Sequence, residues 1–271
     1  MKTSHLQRWI TAVIAVPLLF LLVFKGSAAV FAFLIAAVII MAAWEYEGII
    51  ISVHQGKRRL EFLLSTLLFP ISAYLKDMAL LIISVVFVTI IFILCDLFRT
   101  SKEKKSPDIE LLAKYILGII YIPLLMSHFI LVRGLEEGVF WIFYILVIAF
   151  AGDAAAFYTG KFFGKNKLCP YVSPNKTVEG VLGLVLAAVI AAGTYGHFCL
   201  PDVPFSHIII LAFLTSIIGQ LGDLFESEIK RSSGVKDSGN ILPGHGGMMD
   251  RIDCLLFMVP FVYYYRFYML G

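Results

Sequence analysis

Charge is scarce in this chain. Asp, Glu, Lys and Arg make up 15% of its 271 residues, whereas a soluble domain carries about a quarter. With 60% of the residues hydrophobic, the deficit excludes a water-soluble globular domain. Cysteine is scarce too. Cys95, Cys169, Cys199 and Cys254 form no CxxC pair and no Cys/His spacing, which excludes a disulfide framework and a zinc site. Cys95, Cys199 and Cys254 fall in or beside apolar runs and read as small core residues. Internal repeats, low-complexity tracts and any stretch with the composition of a soluble domain are absent. The net charge of +3 is small, so no nucleic-acid partner is expected.

What the chain does have is a series of apolar runs, several about 20 residues long, the length a helix needs to cross a bilayer. Nine spans are expected, roughly at 9–24, 28–46, 62–75, 78–98, 111–132, 138–158, 179–199, 206–223 and 250–269. The third is short and contains Pro70. The start imitates a secretory signal peptide, with Ser27-Ala28-Ala29 resembling a cleavage region. The sequence after it is apolar and runs straight into the second span, so an uncleaved first span is expected. Of the 22 Lys and Arg, seventeen lie on one set of alternate loops, beginning with Lys2 and Arg8. Only Lys25, Lys76, Arg133 and Arg266 lie on the other set and the C-terminus; Lys114 starts a span on the rich side. Positive charge favours the cytoplasm. The expected fold is therefore all-α and polytopic, with a cytoplasmic N-terminus, a non-cytoplasmic C-terminus, and both long polar loops in the cytoplasm. Residues 1–110 read as scaffold and residues 111–271 as the part carrying the chemistry.

Some charges have an ordinary explanation. The loops at 50–61 and 99–110 read as topology determinants. Asp96 lies three residues before Arg99, the spacing of a local helical ion pair. Trp44 and Tyr263-Tyr264-Tyr265 suit interfacial aromatic belts.

Others point to a site. Asp153 sits among small residues in A-G-D-A-A-A-F-Y, near a cytoplasmic span end, where it is either packing glue or a group facing a polar cavity. The loop 159–178 carries Lys161, Lys165, Lys167 and Lys176. Its Ser173-Pro174-Asn175-Lys176-Thr177 run precedes a span like an N-terminal cap, and helix N-termini bind anions. An ordinary positive loop with a capped helix is the competing reading.

The densest charge lies between Gly222 and Asp253. Asp223, Asp237, Asp250 and Asp253 sit there among Lys230, Arg231, Lys236 and Arg251, joined by Glu226, Glu228 and His245. If the eighth span continues as a helix past Asp223, then Asp223, Ser227, Lys230 and Arg231 share a face. Asp250 and Asp253 share a face of the next helix. Between them, Pro243-Gly244-His245-Gly246-Gly247 permits close backbone approach. Converging carboxylates beside Lys and Arg are what a Mg²⁺–polyphosphate site requires: a hard cation held by one or two carboxylates plus phosphates, with remaining phosphate charge neutralised by cations. In a purely structural account, Lys230 or Arg231 would pair with Asp223, and Arg251 with Asp250.

The same stretch carries a resemblance. Ser227-Glu228-Ile229-Lys230-Arg231, Lys236-Asp237, Gly239, Leu242-Pro243, His245-Gly246-Gly247-Met248 and Asp250-Arg251-Ile252-Asp253 resemble the signature of the phosphatidate cytidylyltransferases, or CDP-diacylglycerol synthases, without departure. The upstream S-P-x-K-T-V-E-G segment is also similar, with Asn175 where many members carry a second lysine. The resemblance implies an integral enzyme of the cytoplasmic (inner) membrane, with its site facing the cytoplasm. It would convert CTP and phosphatidic acid into CDP-diacylglycerol and pyrophosphate, and a homodimer is compatible with it. On this reading Asp223 and Asp250 hold Mg²⁺, with a second cation open, and Asp253 and Asp153 are further ligands or orienting groups. Lys230, Arg231 and Lys236 bind phosphate. Ser173, Lys176 and Thr177 form a second anion contact. Ser227, Asp237, His245 and Arg251 complete the substrate site. Two other functions compete: a CTP-dependent polyprenol or phytol kinase, and an ion or phosphate transporter.

Overall fold

The computed structural model describes residues 17, 20–50, 56–103, 106–239, 241 and 246–271. Ten helices and a two-stranded hairpin make up the named elements among them. The chain falls into two compact units. One comprises the described residues up to Leu131 together with those of Asp237–Met249; the other comprises Val132–Lys236 with Asp250–Gly271.

The first unit begins with α1 (Ala28–Ile50), whose buried positions Phe31, Ile35, Ile39, Ala42 and Tyr46 follow helical spacing. Helices α2 (Gly56–Thr66) and α3 (Leu68–Tyr74) meet at Leu67, and α4 spans Met78–Glu103. Helix α5 (Ile109–Ile119) is capped by Asp108, whose side chain accepts from the Leu111 N–H at 2.9 Å. It continues through a π-turn at Ile120–Leu124 into α6 (Leu125–Arg133). Pro123 lies inside that turn, where its missing N–H interrupts the α-helical ladder. Tyr46 packs on this helix: its hydroxyl donates to the Lys114 carbonyl at 2.7 Å. At Gly118 a Cβ would meet the Tyr46 ring at 2.5 Å.

The charges at the ends of α2 and α4 pair across helices. Asp96 accepts from Arg58 at 2.7 Å, and Arg99 reaches both oxygens of Glu61 at 2.8 Å. The expected local pair between Asp96 and Arg99 is therefore corrected: α2 offers each of them a partner of opposite sign that is better placed. Arg59 pairs with the buried Glu47 at 3.2 Å, and its guanidinium lies 3.2 Å from the centre of the Trp44 ring. Arg58, Arg59 and Arg99 thus have specific protein partners inside loops read as topology determinants.

The second unit holds α7 (Gly138–Phe163), the hairpin β1 (Lys167–Cys169) and β2 (Ser173–Thr177), α8 (Val178–Cys199), α9 (Phe205–Ser232) and α10 (Met249–Met269). Helices α7 and α8 lie close together along a seam of small residues. At Gly160 a Cβ would meet Thr177 Oγ1 at 3.2 Å, and at Gly183 it would strike Thr159. The hairpin is antiparallel, with Lys167 opposite Thr177 and Cys169 opposite Ser173. The all-α reading misses it because segments this short, one containing Pro174, carry no strand alternation. The expected cap is present: Thr177 Oγ1 accepts from the Gly180 N–H at 3.1 Å.

Among the described residues, six helical segments are long and apolar enough to cross a bilayer: Ala28–Ile50, Met78–Lys102, Ile109–Arg133, Gly138–Phe163, Val178–Cys199 and Phe205–Ser232. They fit an integral membrane protein. The segment at 62–75 is the two short helices α2 and α3, and most of 9–24 lies outside the described residues. All four cysteines are free and partly buried.

Candidate active site

Asp153 on α7, Lys176 and Thr177 on β2, and Gln220 and Asp223 on α9 line one cavity of about 630 Å³. Lys161 and Asn175 also line it. The hairpin makes this possible, because it folds the lysine-rich loop back against α8 and presents Lys176 to α9. Glu179 fixes the other side of that loop by accepting from the Lys165 and Asn166 N–H groups. Lys176 forms an ion pair with Asp223. Asp153 faces the charges of Asp223, Lys176 and Arg251.

A second ionic group adjoins the first. Lys230 donates to Asp250 Oδ1 at 2.7 Å and lies 2.5 Å from Glu226 Oε2. The Glu226 side chain is fully buried. Asp253 accepts from the Cys254 N–H at 2.7 Å and faces the charges of Asp223, Glu226 and Asp153. Asp153, Asp223, Glu226, Asp250 and Asp253 therefore share one electrostatic neighbourhood with Lys176, Lys230 and Arg251. With all five acids ionised, that neighbourhood holds two more negative charges than positive.

Helix α9 does run past Asp223, to Ser232. The partners differ from those of the purely structural account: Asp223 takes Lys176, and Lys230 takes Glu226 and Asp250. Spacing explains this. Glu226 lies one turn before Lys230, closer than Asp223. Arg231 lies about 80° further round the helix from Asp223 and donates to the Val172 carbonyl at 3.2 Å and the Val235 carbonyl at 2.7 Å. Ser227 is buried, while Lys236, Asp237 and Arg251 are exposed. Ser173 opens β2 and does not line the cavity. His245 lies outside the described residues. Sequence reasoning gave no role to Glu226 or Gln220. Gln220 is 8% exposed, with its amide nitrogen unpartnered among the described residues. Its only signal was an amide in an apolar run, three residues before Asp223.

A family model described as "Cytidylyltransferase family" matches residues 6–269. The chain belongs to the cytidylyltransferase family. Among curated proteins, this cytidylyltransferase is similar to a phosphatidate cytidylyltransferase of Bacillus subtilis (strain 168), at 44% identity over 149 residues, 55% of each chain. One from Haemophilus influenzae is 44% identical over 138 residues, 49% of this chain and 48% of its own. One from Staphylococcus haemolyticus is 37% identical over 145 residues, 54% of this chain and 55% of its own. The chain thus spans about half the length of the curated relatives it matches.

Proposed function

We propose that this cytidylyltransferase makes CDP-diacylglycerol and pyrophosphate from CTP and phosphatidic acid. The observation that carries the reading is the cavity of about 630 Å³ in which two carboxylates, Asp153 and Asp223, stand beside Lys161 and Lys176. Such a wall suits phosphate groups together with a divalent cation. The names of the relatives supply the lipid substrate.

An oxygen of the lipid phosphate attacks the α-phosphorus of CTP. The new P–O bond forms as the bond to the bridging oxygen of the β-phosphate breaks, and pyrophosphate leaves with that electron pair. The nucleophile is already an anion, so no strong general base is needed. The protein's part is alignment and charge neutralisation. Lys176 and Lys161 neutralise phosphate oxygens in the cavity, with Thr177 and Ser173 as neighbouring polar groups. Lys230, Arg231 and Lys236 carry further phosphate charge, Lys230 from a place set by Glu226 and Asp250. Asp223 and Asp250 are the proposed Mg²⁺ ligands, with Asp153 and Asp253 as further ones. The donor set fits in part: Asp153 and Asp223 offer hard oxygens to one cavity, but among the described residues no three His, Cys, Asp or Glu are grouped to hold a metal, so two carboxylates at a time are the proposed protein ligands. Mg²⁺ is held by one or two carboxylates plus substrate phosphates; when bound it supplies Lewis-acid stabilisation of the charge developing on the phosphates. A second cation is proposed on the same charge argument.

Radiolabelled CTP, purified full-length protein and phosphatidic acid test this reading. A cytidine-bearing lipid and one pyrophosphate per turnover are expected. A phosphorylated polyprenol or phytol instead would identify a kinase. Absence of turnover with liposomal uptake of ions or phosphate would identify a transporter.

The proposed topology keeps nine crossings, with the site and the N-terminus on the cytoplasmic side of a bacterial-type inner membrane. The expected result for a phosphatase fused after Gly271 is activity only outside the cytoplasm, as the charge bias of the loops requires. Activity confined to the cytoplasm overturns the nine-span arrangement.

A further inference from the structure

Glu45 lies on α1, in the part of the chain read as scaffold, and is 4% exposed. A lone carboxylate in such a place is costly, and an apolar side chain there would pack at lower cost. Its bonds explain its presence. Glu45 Oε2 accepts from Ser238 Oγ at 3.1 Å and from the Met249 N–H at 2.9 Å. Met249 opens α10, so its N–H is one of the donors a helix leaves without an internal partner. A carboxylate there also meets the positive end of the helix dipole. Such a cap normally comes from the residue just before the helix. Here it comes from 204 positions away in the sequence.

The glycines of the signature fit the same contact. A Cβ on Gly239 would lie 2.7 Å from Glu45 Oε1, and one on Gly247 2.7 Å from Oε2. Only bare backbone can approach the carboxylate this closely. One side chain therefore contacts the segment between α9 and α10 at Ser238, Gly239 and Gly247 as well as the first residue of α10. Asp250 follows Met249 directly, and Asp253 is one turn on. A shift of the Met249 backbone passes straight to the first of these carboxylates, and about 1 Å of misplacement can cost about 10²-fold in rate.

We propose that Glu45 is a positioning residue for cytidylyl transfer: by capping α10 and tethering Ser238 it fixes where Asp250 and Asp253 stand. The proposal rests on the reaction proposed above. The test combines hydrogen exchange with turnover in the purified full-length protein. In Glu45→Ala, exchange at the amide of Met249 should rise at least tenfold, with the rise confined to peptides around Ser238 and Met249. The kcat should fall about 10- to 100-fold, with the KM for CTP within about threefold, because the groups assigned to phosphate in the cavity are untouched. Glu45→Gln should restore both readouts in part: its amide oxygen can take the place of Oε2 and keep the cap, while its –NH₂ becomes a buried donor where Oε1 has no partner among the described residues. Ser238→Ala removes one tether and keeps the cap; it should give a smaller loss of the same kind, and it decides the matter if Glu45→Ala does not accumulate. Unchanged exchange at Met249 overturns the proposal. So does raised exchange with turnover within twofold of wild type, and so does exchange raised along the whole chain without rescue by Gln. If the wild-type protein transfers no cytidylyl group to phosphatidic acid, the proposed reaction fails, while the exchange measurement still decides whether Glu45 holds the start of α10.

Discussion

Asn at position 223 is expected to leave the protein folded and nearly without turnover, about 10³-fold below wild type. The substitution keeps shape and some hydrogen bonding but removes a hard anionic ligand. Its cost in stability should be small. The Asp223 side chain is 26% exposed in its ion pair with Lys176, and partly exposed pairs contribute about 0–1 kcal/mol. Losing the charge also relieves repulsion from Asp153 and Asp253, both of which face it. Asp250→Asn should behave in the same way, and Asp153→Asn should fall with them if the cavity wall is the phosphate site. The double variant Asp223→Asn, Asp250→Asn should be little worse than either single one, because ligands of one site act as a unit. Turnover at fixed Mg²⁺ and the melting temperature in detergent are the measurements. Near-normal turnover in either single variant would make these acids structural and remove the centre of the proposed mechanism.

The sequence was most informative where one physical rule acts alone. Apolar length is such a rule, and the runs at 28–46, 78–98 and 138–158 became helices that extend a few residues beyond them. Those extensions carry polar residues, such as Lys161 on α7, that a hydropathy criterion trims away. The rule is weaker at 62–75, where Leu67 separates two short helices. Asp153, Lys176 and Asp223 were each legible as unusual: a carboxylate among small residues, a lysine before a helix cap, an acid at a span end. Their meeting in one cavity was not legible, because it depends on a hairpin whose strands have no periodic pattern. Pairings were the least legible feature. Asp96 had a plausible partner three residues away and chose another helix. Glu45 has no local signal at all: E-Y-E stands at the end of an apolar run, and its proposed role depends on backbone 204 residues later.

Removing Lys230 should cost both stability and rate, and the two losses should be separable. Lys230 lies between Glu226, which is fully buried, and Asp250, whose side chain is 17% exposed. Taking away the lysine that pairs with the fully buried Glu226 leaves that carboxylate without its ion-pair partner, at a cost of about 3–5 kcal/mol. Lys230→Ala should therefore melt well below wild type as well as lose turnover. Replacing the fully buried acid at the same time removes most of that penalty, because an apolar side chain of similar size is neutral or favourable in such a place. The double variant Lys230→Ala, Glu226→Leu should then regain most of the lost melting temperature. Turnover should remain about 10²-fold down, because the charge proposed to meet substrate phosphate is still missing and Asp250 has lost the donor at 2.7 Å. Recovery of both stability and turnover would show that Lys230 serves only as counter-ion to Glu226. Its proposed contact with substrate phosphate would then pass to Lys176 and Lys161 in the cavity.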